Sequence, residues 1–280
     1  MTGANRDAED GTQRCRVCGQ PTVPLFDGPL LNHQVAYFEC NDCAYVQTEM
    51  PYWLEQAYTQ AINGTDTGLM RRNARNATMV IRVLMLLGRL HGRVIDCAGG
   101  YGILVRLLRD RGVDALWHDP YCQNLLARGF EASAGERADL ITAFEAMEHF
   151  VDPLAELTRL LQRADSVLVS TDLIATPAPA PEAWWYYGGE HGQHIGFFRR
   201  RTLDTLAEQL GCHVHSDGRA FHLFTRRSIA PWRWSLARQT RKIAPLVARL
   251  RLKSKVWSDH AVARQLALEQ ARAFTPKTTP

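Results

Sequence analysis

The chain has 280 residues, of which 46% are hydrophobic and 22% are charged. This balance excludes collagenous, low-complexity and intrinsically disordered classes, and the length predicts one full domain with a smaller appendage, or two modest domains. The formal net charge of +4 is concentrated, because residues 225–260 hold ten Lys or Arg against one acid, which leaves the rest of the chain at about −5.

The N-terminal stretch 1–14 is polar and contains no apolar signal-peptide core, so we expect it to be disordered. The longest apolar run, Met79–Leu90, is interrupted by Arg82 and Arg89 and cannot span a bilayer. Seven cysteines are present, and four of them form two close pairs, which favours metal binding in a reducing compartment over a secreted disulfide fold. We therefore expect a soluble, cytoplasmic protein.

Composition and periodicity divide the rest of the chain into four segments. Residues 15–50 are rich in turn formers, and residues 51–92 have the apolar spacing of helices, which we interpret as a helical linker or lid. Residues 93–228 alternate short strands with helices, which predicts a parallel sheet built from βαβ units. Residues 229–280 are interpreted as a basic helical segment. The predicted α/β elements are strands at 94–98, 115–119, 139–145, 166–171, 212–216 and 220–225, and helices at 102–112, 152–163 and 200–210.

Two cysteine pairs mark residues 15–50. Two residues separate Cys15 from Cys18, and two separate Cys40 from Cys43. The two pairs are 21 residues apart. Two such turns facing each other present four thiolates in the tetrahedral arrangement that Zn2+ prefers, with no position left open for catalysis. We predict a structural zinc ion held by these four residues, and iron with the same ligands is the alternative.

A glycine-rich loop follows the strand at 94–98. Such glycines let the backbone approach a ligand at the N-terminus of the next helix. The third glycine of a dinucleotide fingerprint is absent, because Val105 occupies its place. Asp96 in the strand would repel a pyrophosphate and attract an ammonium group, so the pattern predicts a cationic ligand. The three glycines are Gly99, Gly100 and Gly102.

Asp96 with these glycines resembles the first motif of class I S-adenosylmethionine-dependent methyltransferases, whose glycine loop holds the methionine part of the donor. In that family an acidic residue at the end of the second strand binds the ribose hydroxyls, and Asp119 stands at that place. The resemblance implies S-adenosylmethionine as cofactor and a donor-binding methyltransferase domain over 93–228. It also implies a Rossmann-like α/β fold with helices on both faces of the sheet, beside a small zinc ribbon-like module and the C-terminal helical segment.

The segment after the fourth predicted strand extends the resemblance. In the family this strand leads into a segment such as Glu-His-x-x-Asp-Pro, and residues 144–153 match it. The match implies that Phe144 and Glu145 lie at the donor. It also implies that Glu148 and His149 border the substrate pocket without taking part in the chemistry.

An aromatic loop, residues 184–198, follows the fifth predicted strand, on the side where ligands bind an open α/β sheet. Four consecutive aromatic residues cannot all face a core. We expect Trp185, Tyr186 and Tyr187 to contribute a stacking wall for the acceptor. The alternative is an aromatic cap packed on the helices of residues 51–91.

The same loop contains two histidines suited to proton transfer. Methyl transfer is a direct displacement, and a His with a pKa near 6.5 can remove the proton of the attacking group. The stretch 193–198 is similar to a Glu-His-x-x-aromatic-Phe loop of bacterial sugar C-methyltransferases that carry an N-terminal four-cysteine module, which implies His194 as the base. Gln193 departs from that pattern, and Glu190 with His191 is the second candidate pair.

The expected function is methyl transfer to a small polar acceptor such as a sugar, nucleotide sugar or glycan-related metabolite. The sugar C-methyltransferases have a further large C-terminal domain that this sequence lacks, so O-, N- and C-methylation all stay open. One alternative is an RNA methyltransferase that uses the zinc module and the basic tail, and another is a non-catalytic zinc scaffold. We expect no nucleic-acid partner, because residues 145–148 lack the Asn/Asp-Pro-Pro-aromatic loop of amine-methylating nucleic-acid enzymes and the body of the chain is acidic.

The basic C-terminal segment mixes aromatic and aliphatic residues with cations over Pro231–Lys255. Basic amphipathic helices contact anionic membrane surfaces or nucleic acid. The interpretation that we favour is a helix packed on the domain with its charges solvated, and peripheral contact with an anionic membrane is the alternative.

Overall fold

A computed structural model of the protein describes residues 13–58, 66–240 and 242–273. Most of the predicted N-terminal disordered stretch, residues 1–12, lies outside the described residues. The chain divides into two compact units, each made of two stretches: Met1–Asn63 with Ala143–Ser228, and Gly64–Thr142 with Ile229–Pro280. None of the helices within the described residues is both long enough and apolar enough to cross a membrane.

The strands and helices of the described residues follow one another in this order. They are β1 (Thr22–Leu30), β2 (His33–Cys40), β3 (Val46–Thr48), α1 (Leu54–Ala57), α2 (Leu69–Leu86), β4 (Arg93–Cys97), α3 (Ile103–Asp110), β5 (Asp114–His118), β6 (Leu140–Phe144), α4 (Pro153–Arg163), β7 (Ser166–Ser170), β8 (Gly196–Phe197), α5 (Arg200–Gln209), β9 (His213–Ser216), β10 (Phe221–Thr225), α6 (Pro231–Gln239), α7 (Ile243–Arg251) and α8 (Val256–Ala273).

The larger sheet has six strands in the order β5-β4-β6-β7-β10-β9, and β6 contributes residues to both units. In the second unit β4 pairs in parallel with β5 and β6, which places Ile95 opposite Leu116 and Ile141. In the first unit β10 runs antiparallel to β7 and β9. All five residues of β6 are buried, as are those of β7 and β10, which is why apolar residues predominate in these strands. The mixed α/β fold with a parallel sheet is confirmed.

Local sequence signals account for several element ends. The Asp152 side chain accepts a hydrogen bond from the Ala155 amide, and Pro153 occupies the first turn of α4. Residues 217–220 connect β9 to β10 in a hairpin, in which Gly218 has a φ of +81° and the Asp217 side chain accepts hydrogen bonds from the amides of Ala220 and Phe221.

In the second unit, helix α8 is attached to α3 by a buried ion pair. Both carboxylate oxygens of Asp259 accept 2.8 Å hydrogen bonds from the Arg109 guanidinium, which also lies 3.6 Å from the centre of the Phe130 ring. Asp259 is only 4% exposed although it is the one acid of the basic C-terminal window. Its burial is explained by this bidentate pairing with Arg109.

In the first unit, a second sheet has the order β1-β2-β3-β8 and is antiparallel throughout. Its last strand comes from the aromatic loop, since Val46 of β3 pairs with Phe197 of β8. A Cβ atom at Gly196 would collide with the Tyr45 hydroxyl, so only glycine fits this strand. The cysteine-containing stretch and the aromatic loop therefore share one sheet and one core. Buried members of that core include Leu30, Val35, Tyr37, Val46, Trp53, Tyr186, Tyr187, Ile195 and Phe197.

Ala98, directly after β4, adopts a left-handed backbone with a φ of +81° that favours glycine. Its side chain is exposed, so removing it sacrifices little packing. We expect Ala98→Gly to raise the free energy of unfolding by about 1 kcal/mol, measured by urea denaturation. As a matched control, Ala115→Gly in strand β5 should lower it by roughly 0.5–1 kcal/mol. Equal destabilisation by both substitutions would contradict the assignment of strain to Ala98.

Candidate functional site

The glycine loop joins β4 to α3 in the second unit and is held against the end of β5. Gly100 and Gly102 both have positive φ, +51° and +87°. The Gly100 amide donates a 2.9 Å hydrogen bond to Asp119 Oδ2, and the Trp117 indole donates a 2.8 Å bond to the Gly100 carbonyl. A Cβ at Gly99 would run into the Trp117 ring. The structure thus brings Asp119 to the glycine loop.

Asp119 is fixed from its other side as well. Its Oδ1 atom accepts hydrogen bonds from the amides of Tyr121, at 2.8 Å, and Cys122, at 3.0 Å. The carboxylate remains half-buried, and an ionised carboxylate has about four acceptor positions. Lone pairs therefore remain on Asp119 for hydroxyl donors.

Asp96 lies in β4 and is 3% exposed. The Thr142 hydroxyl donates a 2.6 Å hydrogen bond to its Oδ1 atom. Burial raises the pKa of Asp96 to about 7, against the opposing effect of the Thr142 hydrogen bond and with a further increase from the charge of Asp119. No cationic side chain pairs with Asp96 within the part of the chain that the structure describes. This carboxyl group is suited to meet a cation from outside the protein.

The four paired cysteines come together in the first unit. The ligand atoms of Cys15, Cys18, Cys40 and Cys43 all lie within 4.8 Å of one another. The Val17 amide points at Cys15 Sγ from 3.4 Å, as in a metal-binding turn. The Sγ atoms of Cys15 and Cys43 are 3.5 Å apart, as are those of Cys18 and Cys40. The residues fit a four-thiolate metal site, and the spacing-based prediction of a cysteine cluster is confirmed.

The first unit also contains a buried cluster of Glu148, His149 and His194. The rings of His149 and His194 are 5.0 Å apart, and the ligand-type atoms of all three residues lie within 4.8 Å of one another. His194 Nδ1 is 2.6 Å from the Tyr186 carbonyl oxygen, an acceptor, so Nδ1 carries the proton and Nε2 has the lone pair. The Tyr186 hydroxyl donates a 2.6 Å hydrogen bond to Glu148 Oε1. One residue, Tyr186, therefore orients two members of the cluster.

Burial shifts the pKa values of all three groups towards their neutral forms. It lowers the pKa of His194 well below 6.5, with further lowering by His149 and His191. It lowers the pKa of His149 to about 4 and raises that of Glu148 to about 8, where the charge of Glu145 adds to the effect. His194 is therefore a neutral imidazole at physiological pH.

The backbone connects this cluster to the cysteine-containing sheet. The Ile195 amide donates a 2.8 Å hydrogen bond to the Glu148 carbonyl, and the Ile195 carbonyl accepts one from the Thr48 amide of β3 at 3.1 Å. The position of His194 therefore depends on strand β3.

Residues 70–217 match the family described as "Methyltransferase domain", which is more than half of the chain. The chain belongs to this methyltransferase domain family. Three solved structures are similar to it: an O-methyltransferase family protein from Burkholderia thailandensis (18% identity, TM-score 0.40), human N-acetylserotonin methyltransferase (14%, 0.40) and a possible histamine N-methyltransferase from Thermotoga maritima (12%, 0.37). The matches cover 57%, 55% and 57% of this chain and 57%, 52% and 92% of the respective structures. No curated protein matches the chain.

The chain spans only 57% of the length of the first of these structures.

The other predicted donor residues of the methyltransferase domain lie at the end of β6. Phe144 is buried with its ring edge against Phe221, and Glu145 follows with a φ of +50°. The Ser170 hydroxyl donates to a carboxylate oxygen of Glu145.

The three predicted stacking residues of the aromatic loop have different surroundings. Trp185 is 74% exposed, whereas Tyr186 and Tyr187 are buried. The Tyr187 ring contacts Tyr37 and Phe197, and its hydroxyl donates to the Pro179 carbonyl. The Tyr186 ring lies 4.7 Å from the His194 ring. Both tyrosines belong to the core that includes β1, β2 and β3.

Two other candidate residues of the aromatic loop, Glu190 and His191, are less buried than His194. Glu190 is exposed, and His191 is half-buried with its Nδ1 accepting a hydrogen bond from the Gln193 amide. The Gln193 side chain donates to the Ala57 carbonyl at the end of α1. Gln193, which replaces the Glu of the sugar enzymes, therefore anchors the loop.

The sequence did not identify Arg199 as a structural residue. Its guanidinium is buried and donates hydrogen bonds to Glu39 Oε1 at 2.6 Å and to the Ala44 carbonyl at 2.9 Å. Ala44 directly follows Cys43, the last residue of the four-cysteine cluster. Arg199 therefore connects the turn that contains Cys43 to the chain beyond β8. The only sequence signal was a charged residue next to Phe197 and Phe198.

Proposed function

We propose that this protein transfers a methyl group from S-adenosylmethionine to a small polar acceptor, such as a sugar, nucleotide sugar or glycan-related metabolite. The observation that carries the proposal is the joining of the glycine loop to Asp119 in a chain of the methyltransferase domain family. The buried Asp96 supports it, because the donor presents an ammonium group and Asp96 has no cationic partner among the described residues.

The donor would be held by three sets of contacts. The loop Gly99–Gly102 follows the methionine part, where glycines permit close backbone approach. Asp96 pairs with the ammonium group, and Asp119 accepts hydrogen bonds from the ribose hydroxyls.

The acceptor would be activated by His194. The acceptor's lone pair attacks the methyl carbon, the carbon–sulfur bond breaks, and S-adenosylhomocysteine leaves as a neutral thioether. The acceptor proton passes to His194 Nε2, whose lone pair is left available by the Nδ1 contact with Tyr186. Glu148 and His149 offer polar atoms to the acceptor, with Trp185 as an exposed aromatic surface, and His191 with Glu190 is the alternative base pair. The zinc ion in the four-cysteine site has a structural role.

Donor binding tests the proposal directly. Calorimetry should detect binding of S-adenosylmethionine to the wild-type protein, and Asp119→Ala should weaken it by about 1.5–3 kcal/mol, because charge-assisted hydrogen bonds to the ribose are lost. Asp114→Ala, at the half-buried start of β5, is the matched control and should leave the affinity unchanged. Absence of donor binding by the wild type would overturn the proposal and favour a non-catalytic scaffold.

The pH dependence of donor affinity follows from Asp96. Its pKa of about 7 means that the carboxylate, the form that pairs with an ammonium group, accumulates as pH rises through 7. We expect affinity to increase over that range and to fall again above about 8, where an α-amino group loses its proton. Asp96→Asn should remove the acidic limb in the same calorimetric series. A flat profile in the wild type would contradict the ammonium contact.

The acceptor class needs a separate measurement. Cells with and without the gene, supplied with isotopically labelled methionine, should differ in a labelled small polar metabolite. Label in RNA instead would favour the nucleic-acid alternative.

A further inference from the structure

We propose that Glu148, His149 and His194 bind a divalent transition-metal ion, separate from the four-cysteine site. One carboxylate and two imidazoles form the donor set that holds Zn2+ or Fe2+ in sites with open coordination positions. The ligand atoms of these three residues lie within 4.8 Å of one another, which is the spacing of groups that share one ion.

Two atoms of the cluster point to a missing partner. Glu148 Oε2 and His149 Nδ1 are buried and have no hydrogen-bond partner among the described residues. Buried polar atoms are nearly always paired, so an unpaired carboxylate oxygen beside an unpaired imidazole nitrogen requires an explanation. A bound cation satisfies both atoms at once.

The contacts behind the ligands fit the same role. A metal-binding His usually donates its other ring nitrogen to a carbonyl or carboxylate, which fixes the free nitrogen as the ligand. His194 Nδ1 makes that contact with the Tyr186 carbonyl, and the Tyr186 hydroxyl holds the second oxygen of Glu148. Tyr186 therefore orients two of the three ligands.

The consequence for catalysis rests on the proposed function. An acceptor oxygen that occupies an open position on the ion loses its proton more readily. In the metal-loaded protein the Nε2 lone pair of His194 belongs to the ion, and His194 acts as the base only in the metal-free protein.

Co2+ binding to the full-length, zinc-containing protein tests the site. We expect one equivalent of Co2+ to bind, and the bound ion should show d–d absorption bands. The thiolate-to-cobalt charge-transfer band should be absent, because the proposed ligands are a carboxylate and two imidazoles. Glu148→Gln and His149→Ala should each weaken binding at least tenfold. His213→Asn, which removes an exposed imidazole in the same unit, should have no effect. The proposed site would be overturned if Co2+ binding were not saturable, or if His213→Asn weakened Co2+ binding as much as Glu148→Gln and His149→Ala do.

Donor calorimetry without added Co2+ separates this proposal from the proposed function. If S-adenosylmethionine binds and Co2+ does not, the metal site is wrong and the methyltransferase proposal stands. If Co2+ binds and the donor does not, the metal site stands alone. Near-ultraviolet circular dichroism of each variant establishes that a loss of binding does not reflect unfolding.

Helix α7 buries small side chains and exposes large ones, which supports a second, independent inference. In α7, Ala244 and Ala248 are buried while Ile243, Leu246 and Leu250 are 53%, 56% and 73% exposed. The three exposed residues recur at i, i+3 and i+7, which places them on one face. Helix α6 buries Trp234 and also exposes two large apolar side chains, Trp232 and Leu236.

We infer that this α6–α7 face docks on an anionic lipid surface. Contiguous exposed apolar residues mark interaction sites, and large aliphatic side chains gain most from leaving water. Exposed cations accompany the apolar residues on these helices and the segment after them, and amphipathic helices of this composition bind anionic membranes. The exposed cations are Arg238, Lys242, Arg249, Arg251 and Lys253.

The composition of this face argues against two other binding partners, a second copy of the chain and RNA. A second copy of the chain would bring the same basic residues against each other, because a two-fold interface pairs a surface with itself. RNA is bound by cations with stacking aromatic rings, which gives no role to Ile243, Leu246 and Leu250. Anionic lipid matches both the cations and the aliphatic residues.

Co-sedimentation at physiological salt tests the inference. The full chain should pellet with vesicles of phosphatidylglycerol and phosphatidylcholine in equal parts, and not with phosphatidylcholine alone. The double variant Leu246→Ser, Leu250→Ser should bind at least tenfold more weakly, whereas Leu268→Ser, an exposed leucine on α8, should bind normally. Failure to pellet would overturn the inference. It would also be overturned if the double variant abolished a dimer seen by ultracentrifugation, or if RNA bound the protein and the vesicles did not.

Discussion

Replacing His194 with Ala should reduce turnover by about 10²- to 10⁴-fold, the range that a positioned proton acceptor contributes. The acceptor must lose a proton as the methyl group arrives, and the Nε2 lone pair of His194 is available because Nδ1 is engaged by the Tyr186 carbonyl. The loss is expected in the metal-free and metal-loaded protein alike, since His194 is either the base or a ligand. Single-turnover assays with a labelled donor provide the measurement.

The control for His194→Ala is donor affinity, which should stay unchanged because the proposed donor contacts lie on other residues. His213→Asn should keep full turnover. If His194→Ala retained activity, the base would be His191 with Glu190, or the reaction would need no base.

Replacing Cys40 with Ser should release the zinc ion and destabilise the protein by several kcal/mol, since structural zinc contributes about 10–16 kcal/mol to the folding of small zinc domains. The effect should extend to catalysis. Strand β3 pairs with β8, and Thr48 binds the Ile195 carbonyl next to His194, so loosening of the metal site displaces the catalytic loop. Metal analysis, thermal unfolding and turnover of the same preparation provide the test.

Cys212→Ser is the matched control, because it removes a half-buried thiol of the same unit that is not in the cysteine cluster. It should retain zinc and activity. A Cys40→Ser protein with full zinc content and an unchanged melting temperature would contradict the four-thiolate site. Normal turnover after zinc loss would contradict the coupling to His194.

Much of the α/β domain could be predicted because its signals are local. The apolar runs at β4, β6 and β7 lie between polar turns, and Asp152 with Pro153 marks the start of α4 by chemistry within one turn. The hairpin at Gly218 likewise depends only on adjacent residues. Such elements depend little on partners elsewhere in the chain.

The aromatic loop could be found but not interpreted from sequence. Its run of four aromatic residues predicted a stacking surface, yet Tyr186 and Tyr187 lie in a core formed with β1–β3, more than 130 residues away in sequence. No pattern within the loop identifies strand β3 as its neighbour. The pairing depends on Gly196 leaving room for Tyr45, which only the folded chain reveals.

The sequence by itself determined the cysteine cluster and the elements of the α/β domain, because each depends on residue types at short, fixed spacings. Only the tertiary structure decided which side chains meet over long separations. It placed Tyr186 between Glu148 and His194, connected the aromatic loop to the cysteine-containing sheet through β8, and left the leucines of α7 exposed. Those outcomes follow from packing and hydrogen-bond satisfaction between distant segments, which local sequence patterns do not encode.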